Sequence, residues 1–424
     1  MTAGERAGLR PDGGPAVGPA VGPAVGVRPE WRWEQKTPFL DIDLDAAVQA
    51  YTRFCEAMPG VDAHFAVKCQ PDRRVLAALA GAGALFETAS VAEIRALTRL
   101  KVDPSRIVYT HPVKSPTQIR WAAREGVRTF VFDSPQEISK IRSAAPGAAV
   151  MVRVRTGAGS EVGSEGKFGV DPVTASTLLL AAREMGLDAA GVTFHVGSQC
   201  VSPASWIPAI EDAAEVMRAV ARHGLRIRIL DIGGGFPARY GSQAPPPVEE
   251  YGTVIRDALD GLLPYEVERV IAEPGRAIAA GAGTMVATVI GTARRAGTMW
   301  AHLDTGAFHG LPEALETDCG IPWPVTDSRA ASRSGAVRRA WTLTGPSCDS
   351  QDTIARDVAL SAGLSAGDRV AIGCAGAYST AYLDAFNGFP GPAVITADTP
   401  EATPEATPDS APDEGARERG GVDV

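Results

Sequence analysis

One lysine of this chain lies where covalent chemistry on a carbonyl compound could take place. Lys68 closes the apolar run HFAVKC. A desolvated lysine with a lowered pKa can form a Schiff base with an aldehyde. An ion pair or a solvated strand end is the ordinary alternative for a lysine in this place. Lys68 is therefore compatible with covalent catalysis but does not establish it.

Three successive glycines in DIGGGFP follow a second apolar run, at Gly233, Gly234 and Gly235. Backbone N–H groups in such a turn can approach a phosphate closely, although a flexible loop would have the same composition. The Lys-Ser/Thr pair that completes a nucleotide P-loop is missing. The motif favours a phosphate site of another kind.

Three further motifs carry groups suited to a flat, phosphorylated cofactor. In AEPGR, Glu273 could keep a pyridinium nitrogen protonated and Arg276 could bind phosphate, unless the two simply pair with each other. In HVGS, His195 could stack on an aromatic ring or only fill space. In GPSCDSQD, Cys348 is either a small apolar residue or a thiol whose pKa is raised by acidic neighbours, which suits a proton donor.

Eight short apolar runs alternate with amphipathic stretches and supply the elements that position these groups. Ser115 and Pro116 mark the start of one predicted helix. Eight β–α repeats predict an α/β protein with a parallel (β/α)8 barrel, in which catalytic residues gather at the strand ends. An open doubly wound sheet is the competing architecture, and the lack of a GxGxxG after the first run disfavours it. The runs are HFAVKC (64–69), ALFETAS (84–90), IVYTHP (107–112), TFVFDS (129–134), AVMVRVR (149–155), GVTFHVG (191–197), IRILDIGGG (227–235) and RVIAEPG (269–275).

The chain divides by composition into two folded parts and two tails. We predict the barrel over 55–285 and a β domain over 286–395, joined by a strand segment within 37–54. The Gly/Pro/Ala/Val-rich stretch 1–30 and the acidic stretch 396–424 offer no apolar face to bury and are predicted to be disordered.

Bulk composition limits the class of protein. The 424 residues are 45% hydrophobic and 21% charged, and the net charge of −9 argues against nucleic-acid and membrane partners. There is no apolar run of about eighteen residues and no signal-peptide pattern. The six cysteines form no CxxC pair, so we expect neither a metal site nor a disulfide framework and place the protein in the cytoplasm.

Taken in order, six motifs resemble those of the fold-type III pyridoxal-phosphate (PLP) dependent decarboxylases, and within them the ornithine decarboxylase branch. The resemblance extends from about Thr37 to Pro390. It implies a barrel plus a β domain, PLP as cofactor, and a head-to-tail homodimer with active sites shared between subunits. The motifs are AVKC, HVGSQC, DIGGGFP, AEPGR, GPSCDS and GAYSTAYLDAFNGF.

The resemblance also implies a role for each matching residue. Lys68 would bind PLP covalently, His195 would stack on its ring, Glu273 would face the ring nitrogen, and Cys348 from the partner subunit would protonate the substrate Cα. The cofactor contacts would be Lys68, Glu87, Arg153, His195, Ser198, Gly233, Gly234, Gly235, Glu273, Arg276 and Tyr378.

Two aspartates direct the choice of substrate. LDTGAFHGL resembles a segment of bacterial ornithine decarboxylases whose aspartate binds the distal amine, here Asp304, and Asp349 would act from the other subunit. L-Ornithine, giving putrescine, is thus the favoured substrate. L-Lysine or another cationic amino acid is the first alternative. Diaminopimelate is the next, disfavoured because that enzyme typically has Glu at the position of Asp349. A non-catalytic regulator is the last.

Two residues depart from the family pattern. Glu87 stands where ornithine decarboxylases usually have Asp, and Gln70 stands where they usually have Asn. The extra methylene of Glu87 leaves the preferred length of the substrate open, since one methylene changes discrimination by only about 1–3 kcal/mol.

Overall fold

The computed structural model describes residues 35–156, 167–241, 244–317, 321–332, 337–382 and 385–397. The predicted disordered tails, 1–30 and 396–424, lie outside these ranges except for Thr396 and Ala397.

After strand β1 (Phe39–Ile42), eight parallel strands close into a barrel, with β2 hydrogen-bonded to both β3 and β9. The prediction of a (β/α)8 barrel is confirmed, and an open sheet is excluded. The barrel strands are β2 (Val61–Ala66), β3 (Leu85–Thr88), β4 (Ile107–Tyr109), β5 (Thr129–Phe132), β6 (Ala149–Arg153), β7 (Asp188–Thr193), β8 (Ile229–Asp231) and β9 (Arg269–Ala272).

The barrel strands are apolar over most of their length because both of their faces are covered. In β5, Phe130, Val131 and Phe132 are all fully buried, although successive side chains point to opposite sides. One side fills the barrel interior and the other packs under the surrounding helices. This is why the runs were visible as continuous apolar stretches in the sequence.

Amphipathic helices connect the strands and cover the barrel. In α4, Ser115 caps the first turn through a capping box and Pro116 follows it, while Ile119 and Ala122 form the buried face. The helices are α1 (Leu44–Ala57), α2 (Arg73–Gly81), α3 (Val91–Arg99), α4 (Pro116–Arg124), α5 (Pro135–Ala144), α6 (Pro172–Glu184), α7 (Trp206–Ala221), α8 (Val248–Leu262) and α9 (Arg276–Ala279). Within the ranges given above, no helix is both long and apolar enough to cross a membrane.

The second domain is a mixed sheet in which the strand order is β12-β15-β10-β11-β13-β14. Strand β1 pairs antiparallel with β10 and parallel with β16, so a segment that precedes the barrel contributes to this domain. Two short helices, α10 (Glu313–Glu316) and α11 (Ser328–Ser332), lie in the connections. The strands are β10 (Gly283–Arg295), β11 (Thr298–Leu303), β12 (Val325–Asp327), β13 (Arg338–Thr344), β14 (Thr353–Ser361), β15 (Arg369–Gly373) and β16 (Ala393–Thr396).

Candidate active site

Lys68 lies in a single 3-10 turn directly after β2 and forms an ion pair across the barrel mouth. Its Nζ donates to Glu87 Oε2 at 2.9 Å. The other oxygen of Glu87 accepts from Thr110 Oγ1 at 2.6 Å. These partners stand at the ends of β3 and β4, so the side-by-side order of the strands brings the three groups together.

The surroundings of Lys68 hold its amine in the ammonium form. Burial by itself would lower the pKa of Lys68, but the carboxylates of Glu87 and Glu273 outweigh it and raise the pKa above its usual value. Of the alternatives that the sequence left open for Lys68, the ion pair is the one that this structure contains. Because covalent attack on an aldehyde needs the neutral amine, the Glu87 pair must loosen before Lys68 reacts.

Glu273 presents a buried oxygen that has no partner. The residue follows β9 directly, and its Oε1 is buried without a hydrogen bond among the described residues. Burial, followed by the charge of Asp231, raises the pKa of Glu273 well above its usual range. Burial likewise raises the pKa of Asp231 to about 6. A cationic N–H donor facing such a buried carboxyl would lower its pKa again.

The glycine loop is packed so closely that only glycine fits. A Cβ on Gly233, whose φ is +65°, would lie 1.9 Å from the carbonyl oxygen of Phe194. A Cβ on Gly235, whose φ is +113°, would lie 2.4 Å from the carbonyl oxygen of Gly197. The N–H of Gly233 donates to Asp231 Oδ1 at 2.9 Å, and its carbonyl accepts the backbone N–H of Glu273 at 2.8 Å.

Arg276 begins α9 and lies behind the glycine loop, almost fully buried. Its Nη2 donates to Ser198 Oγ at 3.0 Å, and its Nη1 donates to Tyr240 Oη at 2.8 Å. Both Nη groups also donate to the carboxylate of Glu313. The guanidinium carbon lies 4.8 Å from the ring centroid of Tyr378, whose backbone N–H donates to the carbonyl of Cys69.

His195 is a neutral imidazole. Its Nδ1 accepts the N–H of Gly197 at 2.8 Å, which leaves the proton on Nε2. Burial, with the nearby charges of Arg153 and Lys68, lowers its pKa to about 3. Arg153 ends β6 beside β7, which places it next to the histidine strand. A neutral ring suits stacking on a flat cofactor better than proton transfer.

These side chains share one cavity at the carboxyl end of the barrel. Glu87 adjoins it through Lys68, and Gly233 belongs to the glycine loop beside it, whereas Arg153 stands at the end of β6, next to the strand that precedes His195. The predicted site residues that line it are Lys68, His195, Ser198, Gly234, Gly235, Glu273, Arg276 and Tyr378.

Cys348 and Asp349 are not brought into this cavity. Both are exposed in the turn between β13 and β14, where Asp349 Oδ1 accepts the N–H of Gln351 at 2.8 Å. The Sγ of Cys348 lies 3.8 Å from Asn387 Nδ2. This turn is held from beneath by Asp352, which accepts both the N–H and the hydroxyl of Ser347.

Asp304 is also separate from the cavity. One of its carboxylate oxygens accepts the N–H of Thr288 at 2.8 Å, and the other accepts the hydroxyl of Thr37. The side chain thus joins β10, β11 and the segment before β1. Both oxygens are occupied within the β domain, so this placement gives no support to a role in binding the distal amine.

Gln70, one of the two departures from the family pattern, links the two domains. Its Nε2 donates to the carbonyl of Gly376 at 2.9 Å, and its Oε1 accepts from Thr380 Oγ1 at 2.9 Å. Tyr378 lies between these two contacts. Gln70 therefore fixes the segment that carries Tyr378 against the end of β2.

Three residues of the site were missed in the sequence. Asp231 lies inside the DIGGGFP motif, and its position before three glycines was the signal available for it. Tyr240 and Glu313 hold Arg276, but nothing in their local sequence distinguishes them from ordinary surface or helix residues.

Comparison with known proteins places the chain in a family. A family model described as the pyridoxal-binding domain of pyridoxal-dependent decarboxylases matches residues 44–280. The lysine/ornithine decarboxylase of Selenomonas ruminantium is 34% identical over 367 residues, which cover 86% of this chain and 91% of that protein. This chain belongs to the pyridoxal-dependent decarboxylases.

Two other relatives differ in the activity for which they are named. The solved structure of lysine/ornithine decarboxylase from Vibrio vulnificus with putrescine has a TM-score of 0.76 at 34% identity, and the match covers 85% of this chain and 94% of that one. Antizyme inhibitor 2 of Xenopus laevis is 33% identical over 370 residues, covering 84% of this chain and 80% of that protein. Proteins named as enzymes and a protein named as an inhibitor thus occur among the relatives.

The predictions of a PLP-dependent carboxy-lyase and of PLP as cofactor are confirmed, and the decarboxylase acts on a basic amino acid. The cavity fits PLP: the unpartnered Glu273 Oε1 is placed for a ring N–H, and the glycine loop with Ser198 and Arg276 is placed for a phosphate. Lys68 stands within the same cavity, where an aldehyde would reach its Nζ.

Proposed function

We propose that this decarboxylase converts L-ornithine to putrescine and CO2. The bond between Cα and the carboxylate breaks, CO2 leaves, and a proton takes its place on Cα. PLP, when bound, supplies the sink for the electrons of that bond. The observation that carries the proposal is the juxtaposition, in one cavity, of the Lys68 amine and the unpartnered carboxyl oxygen of Glu273.

The residues of the cavity divide the work of holding PLP. Lys68 would hold PLP through its Nζ. Glu273 would accept a hydrogen bond from the ring N–H and would keep that nitrogen protonated, because a buried carboxylate without a cationic partner is costly. His195 would cover one face of the ring as a neutral imidazole.

The groups around the phosphate complete the cofactor site. Gly234, Gly235, Ser198 and Tyr378 would supply backbone and hydroxyl donors, and Arg276, which also lines the cavity, donates to Ser198. Oriented N–H groups of this kind bind phosphate.

We further propose that the active enzyme is a homodimer in which each cavity is completed by the other subunit. The turn carrying Cys348 and Asp349 projects from the β domain and exposes both side chains. Asp352 anchors this turn from below, so the exposure belongs to an ordered segment. The partner's Cys348 then gives the proton to Cα, and the partner's Asp349 binds the distal amine of the substrate.

The class of substrate follows from the chemistry of Asp349. Its exposed carboxylate suits a side chain that ends in a cation, as that of ornithine does. Lysine differs by one methylene and is the first alternative, since relatives are named for both amino acids. Diaminopimelate, whose far end carries a carboxylate as well, is disfavoured beside Asp349.

The decisive experiment is CO2 release by the purified protein with PLP from L-ornithine, L-lysine, L-arginine and meso-diaminopimelate in parallel. Preference for ornithine supports the proposal. Preference for another of the four keeps the reaction and refutes the substrate. Bound PLP with no CO2 from any of them would indicate a substrate outside this set, whereas a protein that binds no PLP would favour a non-catalytic regulator.

A further inference from the structure

Most of the hydrogen-bonding capacity of Arg276 is taken up inside the protein. Nη1 donates to Tyr240 and to one oxygen of Glu313, each at 2.8 Å, and Nη2 donates to Ser198 and to the other oxygen of Glu313. A guanidinium has five N–H donors, so four are in use. The fifth, on Nε, is buried and meets no acceptor in the described part of the chain.

Glu313 stands behind Arg276 and does not line the cavity. It is the first residue of α10 in the β domain and is 6% exposed, whereas Arg276 belongs to the barrel. The pair is bidentate, which fixes the plane of the guanidinium as well as its position. It is also neutral overall, so the Arg276 guanidinium reaches the cavity, through its hydrogen bond to Ser198, without an uncompensated positive charge.

We propose that Glu313 is a positioning residue for the cofactor phosphate: it holds the Arg276 guanidinium against Ser198 at the end of the cavity formed by the glycine loop. The inference rests on the proposed function, which places the phosphate there. It also makes the phosphate site depend on contact between the two domains, because Glu313 and Arg276 come from different ones.

The test compares binding of two ligands by the full-length protein without cofactor: PLP, and pyridoxal, which lacks the phosphate. In Glu313→Ala the Kd for PLP should rise by about tenfold or more, since a charge-assisted bidentate contact is lost. The Kd for pyridoxal should change by less than about twofold. A purely structural role of the ion pair would weaken both ligands alike.

The matched control is Glu316→Ala, which removes an exposed acid from the same short helix. Its Kd for PLP should stay within about twofold of the unchanged protein. Equal loss in the Glu313 and Glu316 variants would overturn the proposal, because it would reflect net charge or helix stability only.

Two further variants keep the test decisive. If Glu313→Ala fails to fold, Glu313→Gln preserves the shape of the side chain. It should weaken the binding of PLP, but not of pyridoxal, by about threefold or more, because the amide lacks the negative charge of the carboxylate.

Arg276→Gln distinguishes the role of Glu313 from the position of the phosphate site. If it weakens PLP while the Glu313 variants do not, Glu313 has no positioning role. If it too leaves PLP binding unchanged, the phosphate lies elsewhere and the proposed cofactor site is wrong.

Discussion

Replacing Glu87 by glutamine should make Lys68 more reactive towards PLP in the protein without cofactor. Glu87 is 1% exposed and accepts from Lys68 Nζ at 2.9 Å and from Thr110 at 2.6 Å. Glutamine keeps the length of the side chain and an oxygen for Thr110. It presents an uncharged amide to the ammonium of Lys68, which therefore loses the partner that raises its pKa.

The size of the effect follows from that one contact. A hydrogen bond between charged groups contributes about 1.5–3 kcal/mol. The Lys68 side chain is 40% exposed, so screening by solvent favours the lower end of that range. Since about 1.4 kcal/mol corresponds to one pKa unit, the pKa of Lys68 should fall by about one unit. The neutral fraction of the amine near pH 7 should then rise about tenfold.

The assay is the rate at which the protein without cofactor binds PLP covalently, followed by absorbance between about pH 6 and pH 9. Glu87→Gln should react about tenfold faster wherever the rate of the unchanged protein still increases with pH. Thr110→Val, which removes a hydroxyl donor to Glu87 but leaves both charges of the ion pair in place, is the control and should change the rate by less than about threefold. An unchanged or slower rate in Glu87→Gln would refute the reasoning about this ion pair.

Three other predictions concern the remaining groups. Cys348→Ala should raise the share of substrate released as aldehyde instead of amine, because the proton donor to Cα is lost; a normal product ratio would remove Cys348 from the reaction. Asp349→Asn should raise KM for ornithine by about tenfold through loss of a charged hydrogen bond. Asp304→Asn should change KM by less than about twofold, because its carboxylate is engaged within the β domain. The opposite pattern in steady-state kinetics would reverse the two assignments. Folding lowers the pKa of His195 from 6.5 to about 3 and that of His64 to about 4, so both resist protonation only in the folded state. The stability that they contribute is therefore present above pH 6.5 and is lost as the pH falls through their folded pKa values. Each histidine makes the free energy of unfolding change with pH by about 1.4 kcal/mol per pH unit. In denaturant unfolding of the protein without cofactor, His195→Phe should remove one such contribution between about pH 6 and pH 4. An identical pH dependence in the variant would show that the histidine is not kept neutral.

The barrel could be predicted from the sequence because its strands are buried on both faces. Continuous apolar runs such as Phe130–Phe132 stand out from the amphipathic helices between them. Residues at the ends of these runs, such as Lys68 and Glu273, had to meet at one end of the barrel. Strand β14 is harder to recognise in the sequence, because Arg356 and Asp357 interrupt its apolar pattern and Asp357 has a φ of +55°.

The rest of the site depends on contacts that local sequence does not encode. Glu313 meets Arg276 only because the β domain packs on the barrel, and their separation of 37 residues carries no pattern. Asp304 lies in a motif that resembles a substrate-binding segment. Its carboxylate nevertheless accepts hydrogen bonds from Thr37 and Thr288, which also contact each other. A motif in the sequence therefore identifies the residue type, but the partner of that residue depends on how the two domains pack.

The central claim, that Lys68 binds PLP, is tested most directly by borohydride reduction of the PLP-loaded protein followed by peptide mapping. Lys114 is the sharpest internal comparison. Burial lowers its pKa to about 8, which makes it the easier amine to deprotonate, but its side chain is sealed from solvent and donates to the carbonyls of His111 and Val131. We predict the reduced pyridoxyl label on Lys68, because that amine shares the cavity with Glu273. A label on Lys114 or on any other lysine, or bound PLP that leaves no label, would contradict this assignment.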